Sequence, residues 1–162
     1  LNPDRPTEYA GFWRRGAAWF LDLLFLTPIT VVVLHLVYGR AYWRWLSSDE
    51  VTLFYGFWDP VINYGLPLAF VVGLWAWIGA TPGKWVMGCR VLDMRTGHFP
   101  SPGRALLRFA AYLASYLPLG LGFFWAAWDR RKQGFHDKIA GTIVVREQHV
   151  LPTMDEIRRR LR

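Results

Sequence analysis

Apolar positions in this chain fall into three long runs separated by polar, mostly basic segments. Residues 16–38 read GAAWFLDLLFLTPITVVVLHLVY, with Asp22 as the one formal charge. As a helix this run reaches roughly 34 Å at 1.5 Å per residue, enough to cross the hydrocarbon core of a bilayer. Pro28 predicts a kink, with Thr27 or Thr30 in reach of the freed backbone. Residues 61–80, VINYGLPLAFVVGLWAWIGA, form a second spanning run. Asp59 and Pro60 ahead of it predict a helix start, the aspartate capping the first amides and the proline fitting the first turn. Gly65, Gly73 and Gly79 permit close helix packing. The third run, 105–128, follows a similar start at Ser101 and Pro102 and is broken by LPLG at 117–120. It is either one kinked span or a re-entrant hairpin that descends to Pro118 and returns.

The connections carry their own patterns. Residues 39–58 are crowded with aromatics, among them Tyr42, Trp43, Trp45, Tyr55 and Trp58. Tryptophan and tyrosine prefer the headgroup level, so this loop is expected on the membrane surface rather than folded around a small core of its own. Residues 84–93 are too short and too charged to span, and predict a short strand or an interfacial segment. A second strand-like stretch, GTIVV, occupies 141–145, and 155–162 form a basic helical end. The expected fold is therefore an all-α integral membrane helical bundle of about three hydrophobic segments with short extramembrane strands. Its organisation is an N-terminal segment at 1–15, a membrane domain at 16–146 and a basic tail at 147–162. The first run is too long for a signal-peptide core and is expected to stay as an anchor.

Charge then orients the chain. Lysine and arginine number three before the first run, two in 39–60, four in 81–104 and nine after Trp128. The positive-inside rule places the N-terminus and the 81–104 loop in the cytoplasm and the 39–60 loop outside. A single third span would leave the nine-charge tail outside. The hairpin removes that conflict, because each half is about a dozen residues and too short to cross alone. The expected location is the bacterial cytoplasmic membrane, with both termini cytoplasmic.

Composition narrows the function classes. The formal net charge is +7, hydrophobic residues make up 53 % and there are ten tryptophans. Basic residues flank apolar runs, a pattern suited to anionic lipid headgroups and not to nucleic acid. The single cysteine, Cys89, offers no intramolecular disulfide and has no ligand-spaced neighbour for a metal. No cofactor is expected.

Asp22 is the most informative residue. An ionised carboxylate inside a span costs on the order of 3 kcal/mol unless it is paired or hydrated. Arg15, seven residues earlier, projects from the same helix face, so a direct or water-bridged pair is open, as is a partner on another helix. His35 lies on a different face and reads as an interfacial histidine. The run 79–84, GATPGK, hints at a phosphate loop but has too short a glycine spacing and lacks the final Ser or Thr. His136 and Asp137 have no further ligands or nucleophile motif beside them; Asp137 is expected to cap its turn or to pair with Lys138 or Arg131.

Taken together, Arg15, Asp22, the 79–84 run, Gly88, Arg90, Val91, Asp129 and the run 136–145 (HDKIAGTIVV) resemble the RDD family of membrane proteins, named for one arginine and two aspartates. The resemblance covers roughly residues 9 to 146. Arg15 and Asp22 match the family's arginine and first aspartate, with Arg14 beside them as a lesser alternative. Asp129 is taken as the second aspartate, with Asp137 competing. Cys89, where an aliphatic residue is common, and the aromatic 39–60 loop depart from the pattern. The resemblance implies a helical membrane domain, for which ion or small-ligand transport or an accessory role has been proposed.

The expected site is a polar network of Arg15, Asp22 and Asp129 near the cytoplasmic face, with Lys84, His136 and Asp137 as secondary candidates. No catalytic set is present, so an enzyme is not expected. An accessory or structural subunit that binds other membrane proteins or its own copies is the first reading. An ion- or proton-coupled transporter that works as an oligomer, with Asp22 as its carboxylate, is the second.

Overall fold

The structure is a computed structural model that describes residues 8–49 and 52–146. Helix α1 spans Phe12–Tyr38 without a break. Inside it, the Thr30 hydroxyl donates to the Leu26 carbonyl at 3.1 Å, next to Pro28. A short α2, Arg40–Leu46, follows. The second long helix begins with α3 (Trp58–Pro60), loosens into a π turn at Val61–Gly65 and continues as α4 (Leu66–Ile78). A further turn, α5 (Pro82–Val86), ends the apolar stretch. Among the described residues, Phe12–Tyr38 and Trp58–Val86 are long and apolar enough to cross a membrane.

The third run is a bent pair. Helices α6 (Pro102–Ala110) and α7 (Tyr112–Tyr116) lead in, and α8 (Leu121–Phe124) with a 3-10 turn at Trp125–Ala127 leads out. The two limbs meet at 113°. Pro118 and Gly120 break the ladder, and Leu119 itself adopts a left-handed φ of 52°. Leu117 and Leu119 at the apex are exposed, which suits a tip immersed in lipid. Ser101 caps α6 as the sequence predicts, its hydroxyl accepting from Arg104 N–H at 3.4 Å with Pro102 in the first turn.

The chain leaving this hairpin returns to where α1 begins. Strand β1 (Cys89–Asp93) pairs antiparallel with β2 (Thr142–Arg146), with Val91 opposite Val144. Tyr9 bridges to Val145, and Ala10 N–H donates to the Val144 carbonyl. The start of α1, the 81–104 segment and β2 thus gather at one end of the molecule. That arrangement is the one the hairpin reading requires. Both strand-like stretches form strands, and residues 84–93 divide into the last turn of α5 and β1. The core beneath this sheet is Ala10, Trp75, Cys89, Val91, Ala105 and Val144.

Two expectations need correction. Asp59 does not cap forward: its carboxylate accepts from Tyr55 N–H at 3.0 Å and from Asn63 Nδ2 at 2.5 Å, tying the preceding loop to the helix. The 39–58 segment also has a core of its own, because Tyr42, Leu34 and Ile62 are buried with Tyr38, Trp45 and Tyr55 around them. Its Leu53, Phe57 and Trp58 remain exposed. The basic tail at 147–162 and the first seven residues lie outside the described residues.

Candidate functional site

Charged side chains from α1, α5, α6 and the segment before β2 meet in two adjoining clusters at the end of the molecule that carries the sheet. The first is built on Asp22. Its Oδ2 accepts from the Thr81 hydroxyl at 2.5 Å and its Oδ1 from Gly83 N–H at 2.7 Å, and Lys84 Nζ lies 3.5 Å away. Asp22 therefore caps α5 from a different helix, supplying the acceptors that the first amides of any helix lack. Close approach makes this possible. A side chain on Gly83 would place its Cβ 2.1 Å from the Ala18 carbonyl oxygen, so only glycine lets α5 lie on the backbone of α1.

The second cluster is built on Asp137, which is fully buried in α9 (Phe135–Ala140). Arg15 from α1 and Arg108 from α6 each donate to one of its oxygens in close ion pairs. Gly134 N–H donates to the same carboxylate at 2.9 Å and so caps the helix start. Burial alone would raise the pKa of Asp137; the charges of Arg108 and Arg15 outweigh it and hold the carboxyl well below the usual carboxylate range. Arg108 also donates to the Thr142 hydroxyl at 2.6 Å, linking the cluster to β2. Arg15 further donates to the Lys132 carbonyl.

His136 completes the arrangement as a neutral ring. Burial, with Arg108, Arg15 and Lys84 nearby, pushes its pKa down to about 3, against the pull of Asp137. Arg15 Nη2 lies 3.3 Å from its Nε2 and has only protons to offer, so Nε2 accepts and the ring proton belongs on Nδ1. Nδ1 then donates to Ser115 Oγ at 3.0 Å, and that oxygen also accepts His136 N–H. This ties α9 to α7.

Lys84, Tyr112 and Trp75 join the two clusters. Arg108 and Lys84 stand over the Trp75 ring, 4.9 and 5.6 Å from its centre. Lys84 and Tyr112 line both of two cavities, one of about 370 Å³ toward Arg15 and Arg108 and one of about 420 Å³ toward Asp22 and Trp75.

The expected trio of Arg15, Asp22 and Asp129 is not one network. Arg15 is bonded to Asp137, and Asp22 is bonded to Thr81, Gly83 and Lys84. Asp129 lies apart in the tail, where Lys138 pairs with it at 2.6 Å and the N–H groups of Arg131 and Gln133 donate to it. Its hydrogen bond from Lys138 lowers its pKa. The expected partners of Asp137, Lys138 or Arg131, thus belong to Asp129; its expected capping role does occur. Of the secondary candidates, Lys84, His136 and Asp137 all belong to the clusters. Sequence reasoning did not single out Arg108, Thr81, Ser115 or Trp75. Arg108 had a signal, because it is the one cation within the third apolar run. His35 accepts from Trp43 Nε1 at 3.0 Å, away from these clusters.

Two apolar helices, a broken third segment and a buried Arg/Asp cluster behind a two-stranded sheet define a small helical membrane protein. The sequence model of the RDD family matches residues 9–141, and the chain belongs to that family. It is 26 % identical over 153 residues to YxaI of Bacillus subtilis, a protein described as uncharacterized, covering 84 % of this chain and 96 % of that one. It is 30 % identical over 78 residues to RP437 of Rickettsia prowazekii, described in the same way, covering 48 % of this chain and 43 % of that one. No solved structure matches the chain.

Proposed function

We propose that this protein is an accessory or structural subunit of the bacterial cytoplasmic membrane that binds other membrane proteins, with the sheet-bearing end in the cytoplasm. The observation that carries this reading is the bareness of the spans. Only 11 % of the residues in the most apolar window of each long helix are buried within the chain. Faces with Trp19, Phe20, Leu24 and Phe25 on α1 and Trp77 on α4 are left to lipid or to other helices. Two or three helices so little covered cannot enclose a pathway by themselves. The state of Asp22 supports the same reading. Its carboxylate holds a hydroxyl, an amide and an ammonium, a set of bonds that fixes helix packing and leaves little room for a hydrated cation.

The test is the mass and composition of the protein extracted from its native membrane in mild detergent. A stoichiometric larger partner, lost when α1 residues such as Leu24 are replaced by polar ones, is the expected result. A homo-oligomer alone would count against it.

A second reading, an ion- or proton-coupled transporter acting as an oligomer, draws on the 420 Å³ cavity that reaches Asp22 beside Lys84. It expects Asp22→Asn to fold and to lose flux in vesicles. The subunit reading expects the same variant to be less stable, because Lys84 then loses its counter-charge.

A further inference from the structure

Three cations meet two carboxylates where the two clusters adjoin. Lys84 and Arg108 are buried and the Arg15 side chain is 11 % exposed; the three share Asp22 and Asp137, and His136 beside them is neutral, so the joined clusters carry one positive charge in excess. Two buried donors in the same region have no hydrogen-bond partner among the described residues, Arg108 Nε and Trp75 Nε1. Arg108 is 1 % exposed and lines the 370 Å³ cavity; Trp75, also 1 % exposed, lines the adjoining one. The excess cation and the orphaned Arg108 Nε of this cavity ask for the same thing, an anionic acceptor; Trp75 Nε1 belongs to the adjoining cavity.

The cavity has a polar end and an apolar mouth. Arg15, Lys84 and Arg108 belong to its lining, with Phe12, Trp19, Tyr116 and Phe124 as further walls. Phe12 stacks on Phe124 at 5.0 Å and closes one side between α1 and α8. Trp19 and Tyr116 are more than half exposed on helices that face lipid, so the mouth opens sideways into the bilayer. Ligand pockets begin at about 300 Å³, which makes this one large enough for a phosphate with a few attached atoms and too small for a whole lipid.

We propose that this cavity is an oxyanion site that takes the phosphate of an amphiphilic ligand whose headgroup carries no cation and whose net charge is negative, with the rest of the ligand leaving between Trp19 and Tyr116. The site is distinct from the general attraction of anionic lipid to the basic loops and does not depend on the subunit reading. Arg108 and Arg15 can each give a guanidinium N–H to the oxyanion while keeping Asp137, and Lys84 supplies the point charge.

The test uses delipidated full-length protein in a neutral detergent and three probes: short-chain phosphatidylglycerol, phosphatidylcholine of the same chain length, and glycerol 3-phosphate. Binding is read as bound mass by native mass spectrometry and as thermal shift. One phosphatidylglycerol per chain is expected, at least tenfold tighter than phosphatidylcholine. Lys84→Gln removes the surplus charge and should weaken binding tenfold or more. Gly16→Phe tests the cavity without touching a charge. Gly16 lines it and a Cβ there meets nothing within 4 Å, so the ring is expected to fill the cavity, and an unchanged helical signal and monodisperse peak show that the variant folds. Glycerol 3-phosphate weaker than phosphatidylglycerol assigns the anion to the bilayer, and equal binding assigns it to water; both uphold the site. Equal binding of the two lipids, or phosphatidylglycerol binding unchanged in Gly16→Phe, overturns it.

Discussion

Replacing Asp137 by asparagine removes the one carboxylate on which two buried guanidiniums converge. Asp137 is fully buried and Arg108 is 1 % exposed, so Arg108 cannot recover its solvation by a small movement; Arg15, with its side chain 11 % exposed, recovers part of it. Breaking a buried pair by deleting one partner costs about 3–5 kcal/mol, because an uncompensated charge stays behind. Asparagine keeps an oxygen for Gly134 N–H, so the helix cap survives and the loss reports the charge. For a chain of this length each kcal/mol corresponds to roughly 2–4 °C in Tm, which gives a fall of about 6–20 °C. The assay is thermal unfolding in detergent, followed by helical signal and by loss of the monodisperse peak. A second variant, Arg108→Met, and the double variant close the cycle. The double should be more stable than the sum of the singles implies, by about 1–3 kcal/mol, because the surplus cation leaves with the anion. A single-variant loss below about 1 kcal/mol, or strict additivity, would falsify the view that Asp137 neutralises Arg15 and Arg108.

Three further outcomes follow from the same geometry. Gly83→Ala should destabilise at or beyond the upper end of the usual ~1–3 kcal/mol for overpacking, since its Cβ meets backbone at 2.1 Å, whereas Gly16→Ala on the same helix pair should gain about 0.5–1 kcal/mol; equal effects in a thermal comparison would remove the close-approach argument. His136 has a folded pKa of about 3, below its unfolded value near 6.5, so the stability due to its neutral form is complete above pH 6.5 and is lost as pH falls toward 3. Asp137 works in the same direction at lower pH, its contribution being present above its unfolded pKa near 4 and lost as pH falls through its depressed folded value. Tm should therefore decline from pH 6.5 downward, and His136→Asn should flatten the part between 6.5 and 4; a slope that the variant leaves intact would assign it to other groups. Asp129→Ala should cost only about 1 kcal/mol in the same melts, the scale of a lost cap and a partly exposed ion pair, and a loss as large as that of Asp137→Asn would contradict its peripheral placement.

The membrane architecture was legible because it rests on local, periodic signals. Long apolar runs, the serine–proline start of α6 and the Pro118/Gly120 break each act within a turn or two of their own position, so the chain declares them. Counting basic residues added one non-local expectation, that the chain after the hairpin returns to the end where α1 begins, and the pairing of β1 with β2 is compatible with it through Arg146. The site was legible in its residue types and not in its pairings. Arg15 and Asp22 share a helix face, and a two-turn spacing invites a pair between them. Each instead found a partner more than fifty residues away, because α5 and α9 bring an N-terminal turn and a buried carboxylate against the same side of α1.

The choice between Asp129 and Asp137 shows what one chain withholds. Both stand beside basic residues in a polar tail, and Asp137 has Lys138 for a neighbour. What separates them is depth. Helix α9 turns Asp137 inward toward Arg108, a cation stranded in an apolar run that must have a counter-charge from somewhere. That requirement was readable in principle: a lone arginine within a hydrophobic segment demands a carboxylate, and Asp22 can supply only one of the three negative charges that Arg15, Lys84 and Arg108 need. Carried one step further, the count leaves three cations sharing two carboxylates among the described residues. A fold that keeps such a charge buried holds it at a cost unless an anion arrives to share it. The surplus positive charge is therefore the feature by which a purely structural cluster and a binding site can be told apart.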